Sequence, residues 1–446
     1  MLKLYYILTE YLWVFGVGFF VYLALRGVKS REKHEKVAKK KWKDAVEKKM
    51  DEPMTLHPEI DPNLCSGCGA CVTACPEGEI LKLIHHKAKL IEPTKCVGHG
   101  ACEVACPLDA IKLVFGTKTR GMQLPRISPY YETNVGGLYI AGELGGMGLI
   151  RNAVKQGKLA AEHACSKVSP GKAEYDVLVV GAGPAGLAAS LTCAEKKKKY
   201  ICLEQNKFGG TIYNFPKQKV VMSHPLEFPL AGMVKFPRNK VSKEEILAVW
   251  GGLRKKYNLQ IKENAKFINL KKKNGIFHVE TNNGIITASK VIMAMGVRGS
   301  PRKLGLKGEE STKVTYNLLD PDQYQKCDIA VVGGGNAAVE AAQYLAKSRL
   351  QNRVYLLVRG PQLDRCNEDN QNIIFDMAKK KKVVMCFDTV VSEIYEDYLI
   401  VDRQGQRLRL QNDFLFIFAG AELPFKFLES LGVVIDTKYG EAVKTG

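Results

Sequence analysis

Cys65, Cys68, Cys71 and Cys75 are spaced C-x2-C-x2-C-x3-C, and Pro76 follows the last of them. Four thiolates so placed can wrap an iron–sulfur cluster, with the proline turning the chain away. The pattern recurs at Cys96, Cys102, Cys106 and Pro107, with His99 standing where a second cysteine would fall. Zinc is the simpler use of clustered cysteine. Zinc knuckles, however, rarely run four cysteines this tightly and then repeat the run. The chemistry expected is the movement of single electrons.

A second chemistry starts at Gly181-Ala182-Gly183-Pro184-Ala185-Gly186. The strand Asp176 to Val180 leads into it and a helix is expected after it, the context in which GxGxxG holds a dinucleotide. The glycines let backbone approach a pyrophosphate, and the helix N-terminus faces the anion. The next strand, Tyr200 to Leu203, delivers Glu204, an acid placed to take ribose hydroxyls. The pair Gly209-Gly210, followed by Thr211, can run beside an isoalloxazine ring. A second fingerprint, Gly333-Gly334-Gly335-Asn336-Ala337-Ala338, follows the strand Asp328 to Val332. Its companion strand, Val354 to Val358, ends at Arg359 and not at an acid. Arginine there suits a 2′-phosphate, so NADP is expected over NAD. Two dinucleotide sites in one chain indicate FAD and a nicotinamide.

The cysteine runs sit in similar halves, Cys65 to Leu83 and Cys96 to Val114, each ending in a short apolar strand. This repeat resembles bacterial two-cluster ferredoxins. The resemblance implies that the fourth cysteine of each run serves the other cluster. Cys65, Cys68, Cys71 and Cys106 would hold the first, and Cys96, Cys102 and Cys75 the second, both expected as 4Fe-4S. His99 leaves three readings open. It is an imidazole ligand to the fourth iron, or it leaves a 3Fe-4S cluster on three cysteines, or it is a spacer in a site that has lost its cluster. We favour the ligand, since histidine can replace thiolate on iron and raise the potential.

From Tyr175 onward the chain resembles the thioredoxin-reductase-like flavoproteins, nearest the bacillithiol-disulfide reductases and the two-domain ferredoxin–NADP reductases. Val291 to Gly296 is similar to a strand and glycine at the border of the nicotinamide domain in these enzymes, which implies Ala294 and Gly296 beside the cofactor. Two departures bear on the chemistry. Thioredoxin reductases carry a CxxC before the second fingerprint, but Val314 to Lys326 holds no cysteine. The bacillithiol branch places a cysteine inside the first fingerprint, where this chain has Ala185. Disulfide reduction is therefore not expected.

The third departure concerns order. The family closes its flavin domain with a C-terminal strand, a Gly-Asp pair and a helix. Here that piece is found upstream, as Thr133 to Glu143 and then Gly145 to Val154. We read a circular permutation, which implies Gly142, Glu143, Gly148, Leu149 and Ile150 at the flavin. Glu143 stands where the family's aspartate meets the ribityl chain. A helix starting near Gly148 would aim its dipole at the flavin C2 carbonyl and favour the anionic reduced ring.

The elements that must carry these sites are bounded by composition. The chain has a net charge of +20. It shows no nucleic-acid recognition module, so nucleic acid is not an expected partner. Of 13 cysteines, those outside the two runs (Cys165, Cys193, Cys202, Cys327, Cys366, Cys386) are scattered singly, as in a reducing compartment. Leu4 to Leu25 is almost wholly apolar, with Glu10 its one charge. It would span roughly 33 Å, enough to cross a bilayer. The basic block Arg26 to Lys49 would keep its side cytoplasmic and lie against anionic headgroups. Lys29 to Asp51 reads as a charged stalk, in which Val37, Trp42 and Val46 are too sparse for a core face.

The fold expected is α/β. Two Rossmann-like dinucleotide-binding domains, for FAD and NAD(P), join a small α+β ferredoxin-like domain and an N-terminal transmembrane helix. The boundaries expected are 1–27 for the anchor, 28–55 for the stalk, 56–115 for the ferredoxin domain, 116–310 for the FAD domain and 311–412 for the NAD(P) domain. The run 413–446, with Phe414 to Asp436, is expected back in the FAD domain. The function expected is a single-pass, cytoplasm-facing NAD(P)H oxidoreductase that passes electrons through FAD and the clusters to a redox partner protein, itself membrane-bound or not. No side chain is assigned as acid or base. The alternatives are a ferredoxin-driven flavoenzyme that reduces a small molecule, and a non-enzymatic redox sensor or electron-transfer subunit. A homodimer is compatible with the sequence.

Overall fold

A computed structural model describes residues 2–442 apart from 48–50, 54–55, 147, 169–172, 223–224, 237–239, 298–300 and 421–423. The side chains of residues 2–15, Met222 and Lys240 also lie outside the described set. The chain forms two compact units, Met1–Cys96 with Gly100–Leu113, and Val97–His99 with Val114–Gly446.

The smaller unit opens with one helix, Leu2–Glu47, of 46 residues. Pairs at i,i+4 such as Glu35–Lys39, 2.8 Å apart, support its charged half. Nothing breaks it near residue 27, so the expected anchor and stalk are a single element. Among the described residues no helix is long and apolar enough to cross a membrane. The expected span from Leu4 lies outside the described side chains as far as Phe15.

The stalk expectation is corrected. Ala38 is 1 % exposed, and the helix lies on the antiparallel hairpin Leu81–Ile84 and Lys87–Leu90. Lys89 sits over the Trp42 ring at 3.9 Å. Lys41 pairs with Glu92 at 3.1 Å, and Glu35 accepts from the His85 backbone N–H at 3.1 Å. A small residue flanked by long charged ones makes this contact, which a search for large apolar residues misses.

The two cysteine loops have matching backbones. Gly67 and Gly69 stand at φ 72° and 80°, and Gly98 and Gly100 at 72° and 82°. Each loop runs into a short helix, Ala70–Ala74 or Ala101–Val104. A Cβ on Gly67 would lie 2.0 Å from the His86 carbonyl oxygen, so only glycine fits there.

In the larger unit a seven-stranded sheet carries the first fingerprint. Tyr175–Val180 lies between Tyr200–Leu203 and Gly284–Met293, parallel to both. The last residues of Gly284–Met293 are flanked on the other side by Leu138–Ile140, also parallel, in the register Leu138↔Val291 and Ile140↔Met293. The hairpin of Phe267–Lys273 and Ile276–Thr281 extends the sheet. The carboxyl ends of these parallel strands open at one edge, where such sheets bind ligands.

The second fingerprint rises from a five-stranded parallel sheet in the order Val314–Thr315, Phe414–Ile417, Asp328–Val332, Arg353–Leu357, Val383–Cys386. This corrects the boundary at 413. Phe414–Ile417 is an apolar run that needs burial on both faces, and it finds this beside Asp328–Val332. The chain leaves that sheet afterwards. Ile435–Lys438 pairs with Met122–Pro125, and Glu441 pairs with Phe115.

Candidate functional site

A cavity of about 340 Å3 opens at the carboxyl edge of the seven-stranded sheet. Gly181, Gly183, Pro184 and Ala185 of the first fingerprint form one wall, and Glu204 closes its end. Gly210 and Thr211 form a second wall, and Ala294 and Gly296 a third. Gly142, Glu143, Gly148, Leu149 and Ile150 complete it from upstream in the sequence. Two of the expected residues do not reach it. Gly186 packs beneath the turn, where a Cβ would lie 1.8 Å from the Gly181 carbonyl oxygen. Gly209 takes φ 110° at a turn against Leu247.

The cavity fits a flavin dinucleotide. Two helices, Pro184–Glu195 and Ile150–Ser166, begin at its wall, and neither start is capped by a side chain. Their first backbone N–H groups therefore remain for an anionic ligand. A Cβ on Gly183 would meet nothing within 4 Å, so backbone faces open space where a pyrophosphate must approach. Buried Glu204 accepts from the Ala182 N–H at 2.9 Å and from the Asn206 N–H at 3.0 Å. These two bonds brace the fingerprint turn and leave acceptor capacity on the carboxylate for ribose hydroxyls.

The second fingerprint keeps its turn geometry. Gly333 stands at φ 140°, and a Cβ there would lie 2.6 Å from the Phe418 carbonyl oxygen. Gly335 caps the helix Asn336–Leu345 without a side chain. Asn336 is tied to the protein: its Oδ1 accepts from the Asn367 N–H at 2.9 Å and from Asn370 at 3.2 Å. Ala337 and Arg359 are exposed. Arg365, which sequence reasoning did not single out, bridges Gly335 through its backbone.

One cysteine of the second run, Cys106, joins three of the first. Cys65, Cys68, Cys71 and Cys106 line one cavity, with Cys68 the exposed member. Backbone N–H groups donate to two of these sulfurs, Ala88 to Cys65 at 3.5 Å and Ala110 to Cys106 at 3.3 Å. Burial, and then the neighbouring Cys65, pushes the Cys71 thiol up. Cys102 is pushed up to about 12, first by burial and then by Cys96, with Cys75 also contributing. Cys96, of the same run, and Cys75, of the other, thus both act on Cys102. Among the described residues no three ligands converge as they would on a single ion. Cys65, Cys68, Cys71 and Cys106 instead ring a space, as a cluster requires. His99 lies in the stretch Val97–His99 that groups with the larger unit.

Residues 178–445 match the pyridine nucleotide-disulphide oxidoreductase family. The chain belongs to that family. Residues 57–107 match a 4Fe-4S dicluster domain. The bacilliredoxin reductase of Bacillus subtilis is 27 % identical over 274 residues, which is 59 % of this chain and 82 % of the relative. A ferredoxin–NADP reductase from Ignicoccus hospitalis is 28 % identical over 266 residues, 58 % of this chain and 81 % of that one. The solved bacillithiol disulfide reductase of Bacillus cereus superposes with a TM-score of 0.52 at 25 % identity, covering 58 % of this chain and 81 % of that one. The protein is a flavin-dependent NAD(P)H-type oxidoreductase of the thioredoxin-reductase-like kind, fused to a 4Fe-4S ferredoxin domain.

Within this oxidoreductase, Asn214, Phe215 and Asn317 also wall the flavin cavity, and sequence reasoning passed over them. So it did over Gln156, whose Oε1 accepts from the Gly142 N–H at 2.7 Å. No local spacing marks these residues. Their roles come from contacts between segments far apart in the chain.

Proposed function

We propose that this oxidoreductase moves electrons from NADPH to two iron–sulfur clusters and on to a protein partner, and does not reduce disulfides. One observation carries the reading: none of the described residues that wall the flavin cavity is a cysteine. Cys202 lies under Gly181, but it is fully buried and its thiol is pushed up to about 12 by burial, which leaves it inert. FAD, when bound, supplies the interchange between two-electron and one-electron chemistry. The chain's part is to hold and orient. The two uncapped helix starts receive the anionic groups, Glu204 receives ribose hydroxyls, and Arg359 receives the 2′-phosphate of NADP.

The segment order supports a circular permutation, since Leu138–Ile140 and Glu143 serve the flavin site while preceding its fingerprint. The cavity that Cys106 shares with Cys65, Cys68 and Cys71 supports two clusters with shared runs. The apolar run from Leu4 to Leu25, with exposed Phe19, Phe20 and Leu25 among its described residues, supports anchoring to the cytoplasmic face of a membrane. Protein in isolated membranes should resist carbonate extraction, and protein lacking that run should be released.

The decisive assay is anaerobic NADPH oxidation. Benzyl viologen and a two-cluster ferredoxin should be reduced, while bacillithiol disulfide and oxidised thioredoxin should not. Disulfide turnover at a rate comparable to viologen turnover would overturn the proposal.

A further inference from the structure

Gln156 is not among the residues that wall the flavin cavity, yet it carries an amide into the core at 1 % exposure. Its Oε1 accepts from the Gly142 N–H at 2.7 Å. That bond fixes the amide's orientation, because the flipped amide would set N–H against N–H. The Nε2 group finds no partner among the described residues. An apolar side chain of similar volume would fill the space without a stranded donor, and burying an unpaired donor is unfavourable. The single bond to Gly142 is what explains an amide at this position.

Gly142 matters because of its neighbours. It stands at φ 86° and ψ −154°, a conformation open only to glycine. A Cβ there would lie 3.2 Å from the Cβ of Ala185 in the fingerprint. Glu143 follows it into the cavity. The loop then runs to Leu149, which starts the helix Ile150–Ser166 on which Gln156 itself sits. The side chain therefore reaches back from the helix to the loop's first residue and closes the loop on itself. Gly157, next in the helix, lies directly on the Ala185 carbonyl.

We propose that Gln156 is a positioning residue for the flavin. It holds the Gly142 amide so that Glu143 and the open start of its own helix address the cofactor together. The inference rests on the cavity being the FAD site.

The test uses full-length protein stripped of FAD and retitrated, with three variants. Gln156→Met should weaken FAD binding roughly tenfold or more, the loss of one buried hydrogen bond and of the loop order that it maintains. It should also shift the flavin midpoint potential at saturating FAD, which a general loss of stability would not do. Gln156→Glu keeps an acceptor and should bind within about threefold of wild type. Wild-type affinity and potential in Gln156→Met would overturn the proposal, as would a Glu variant as weak as the Met variant. If the Met variant does not fold, Gln156→Asn decides, since it draws the acceptor back by one methylene. It should bind more weakly, and wild-type affinity would overturn the proposal. Unmutated protein that takes up no FAD would overturn the cavity assignment itself, and this inference with it.

Discussion

Gly157 and Ala185 touch backbone to backbone: a Cβ on Gly157 would lie 2.1 Å from the Ala185 carbonyl oxygen. The contact joins the helix Ile150–Ser166 to the helix Pro184–Glu195 at the fingerprint turn. In an ordinary helix interior, Gly→Ala stabilises by about 1 kcal/mol. Here the added methyl must push two helices apart, and overpacking costs about 1–3 kcal/mol. Gly157→Ala should therefore lower the melting temperature and leave the purified protein short of FAD. Melting curves and the flavin-to-protein absorbance ratio check this. A variant with raised stability and full flavin would show that the two helices are not held this closely.

The cavity that Cys106 shares with the first run gives a second test. Cys106→Ser should damage the cluster held with Cys65, Cys68 and Cys71, although Cys106 closes the other run. Cys75→Ser should damage the one held with Cys96 and Cys102. Iron analysis and EPR of anaerobically reduced protein should show a different surviving signal in each. If Cys106→Ser and Cys102→Ser leave the same signal, the sharing is wrong. His99→Cys should lower the potential of the second cluster, because thiolate replaces a neutral imidazole. An unchanged spectrum and potential would rule His99 out as a ligand.

What could be read from the sequence divides along one physical line. The cysteine runs, Gly181 to Gly186, Glu204 and Gly333 to Gly335 were legible because their chemistry depends on spacing within a few residues. The strand Leu138–Ile140 was legible because Gly142 and Glu143 follow it at once. Gln156 was not, since the meaning of that amide lies in Gly142, which only tertiary folding brings within reach. Ala38 was not, since a buried alanine among lysines carries no hydrophobic signature. Phe414–Ile417 was given to the wrong sheet because an apolar run announces burial without naming its neighbours.

Arg359 offers a test of nicotinamide choice. It is exposed just beyond the strand Arg353–Leu357, with its charge uncommitted to any hydrogen bond described. Arg359→Ala should raise KM for NADPH roughly ten- to a hundredfold, the loss of one charged contact to phosphate. Steady-state rates with NADH should hardly change. Equal losses with both nicotinamides would mean that Arg359 supports the fold and does not read the phosphate.

Glu263 sets a pH dependence on the loop that carries Gly210 and Thr211. Its Oε1 accepts from the Phe208 N–H at 2.8 Å and from Arg254 at 3.3 Å. Arg254 in turn lies over the Phe208 ring, 5.4 Å away. The Phe208 N–H, followed by the Arg254 charge, holds the Glu263 carboxyl below its ordinary value of 4.5. A carboxylate whose folded pKa is depressed stabilises the protein above its unfolded value, and the stabilisation is lost as the pH falls through the folded value. With the side chain 25 % exposed, solvent screening limits the effect to about 1 kcal/mol or less. Glu263→Gln keeps the shape and an acceptor but removes the charge. It should melt slightly below wild type at pH 7, and the gap should close as the pH falls below 4.5. Paired melting curves from neutral to acid pH would decide the matter. A gap that stays constant down to the lowest pH would mean that packing, and not the carboxylate's charge, anchors Phe208 and the flavin-facing Gly210 beyond it.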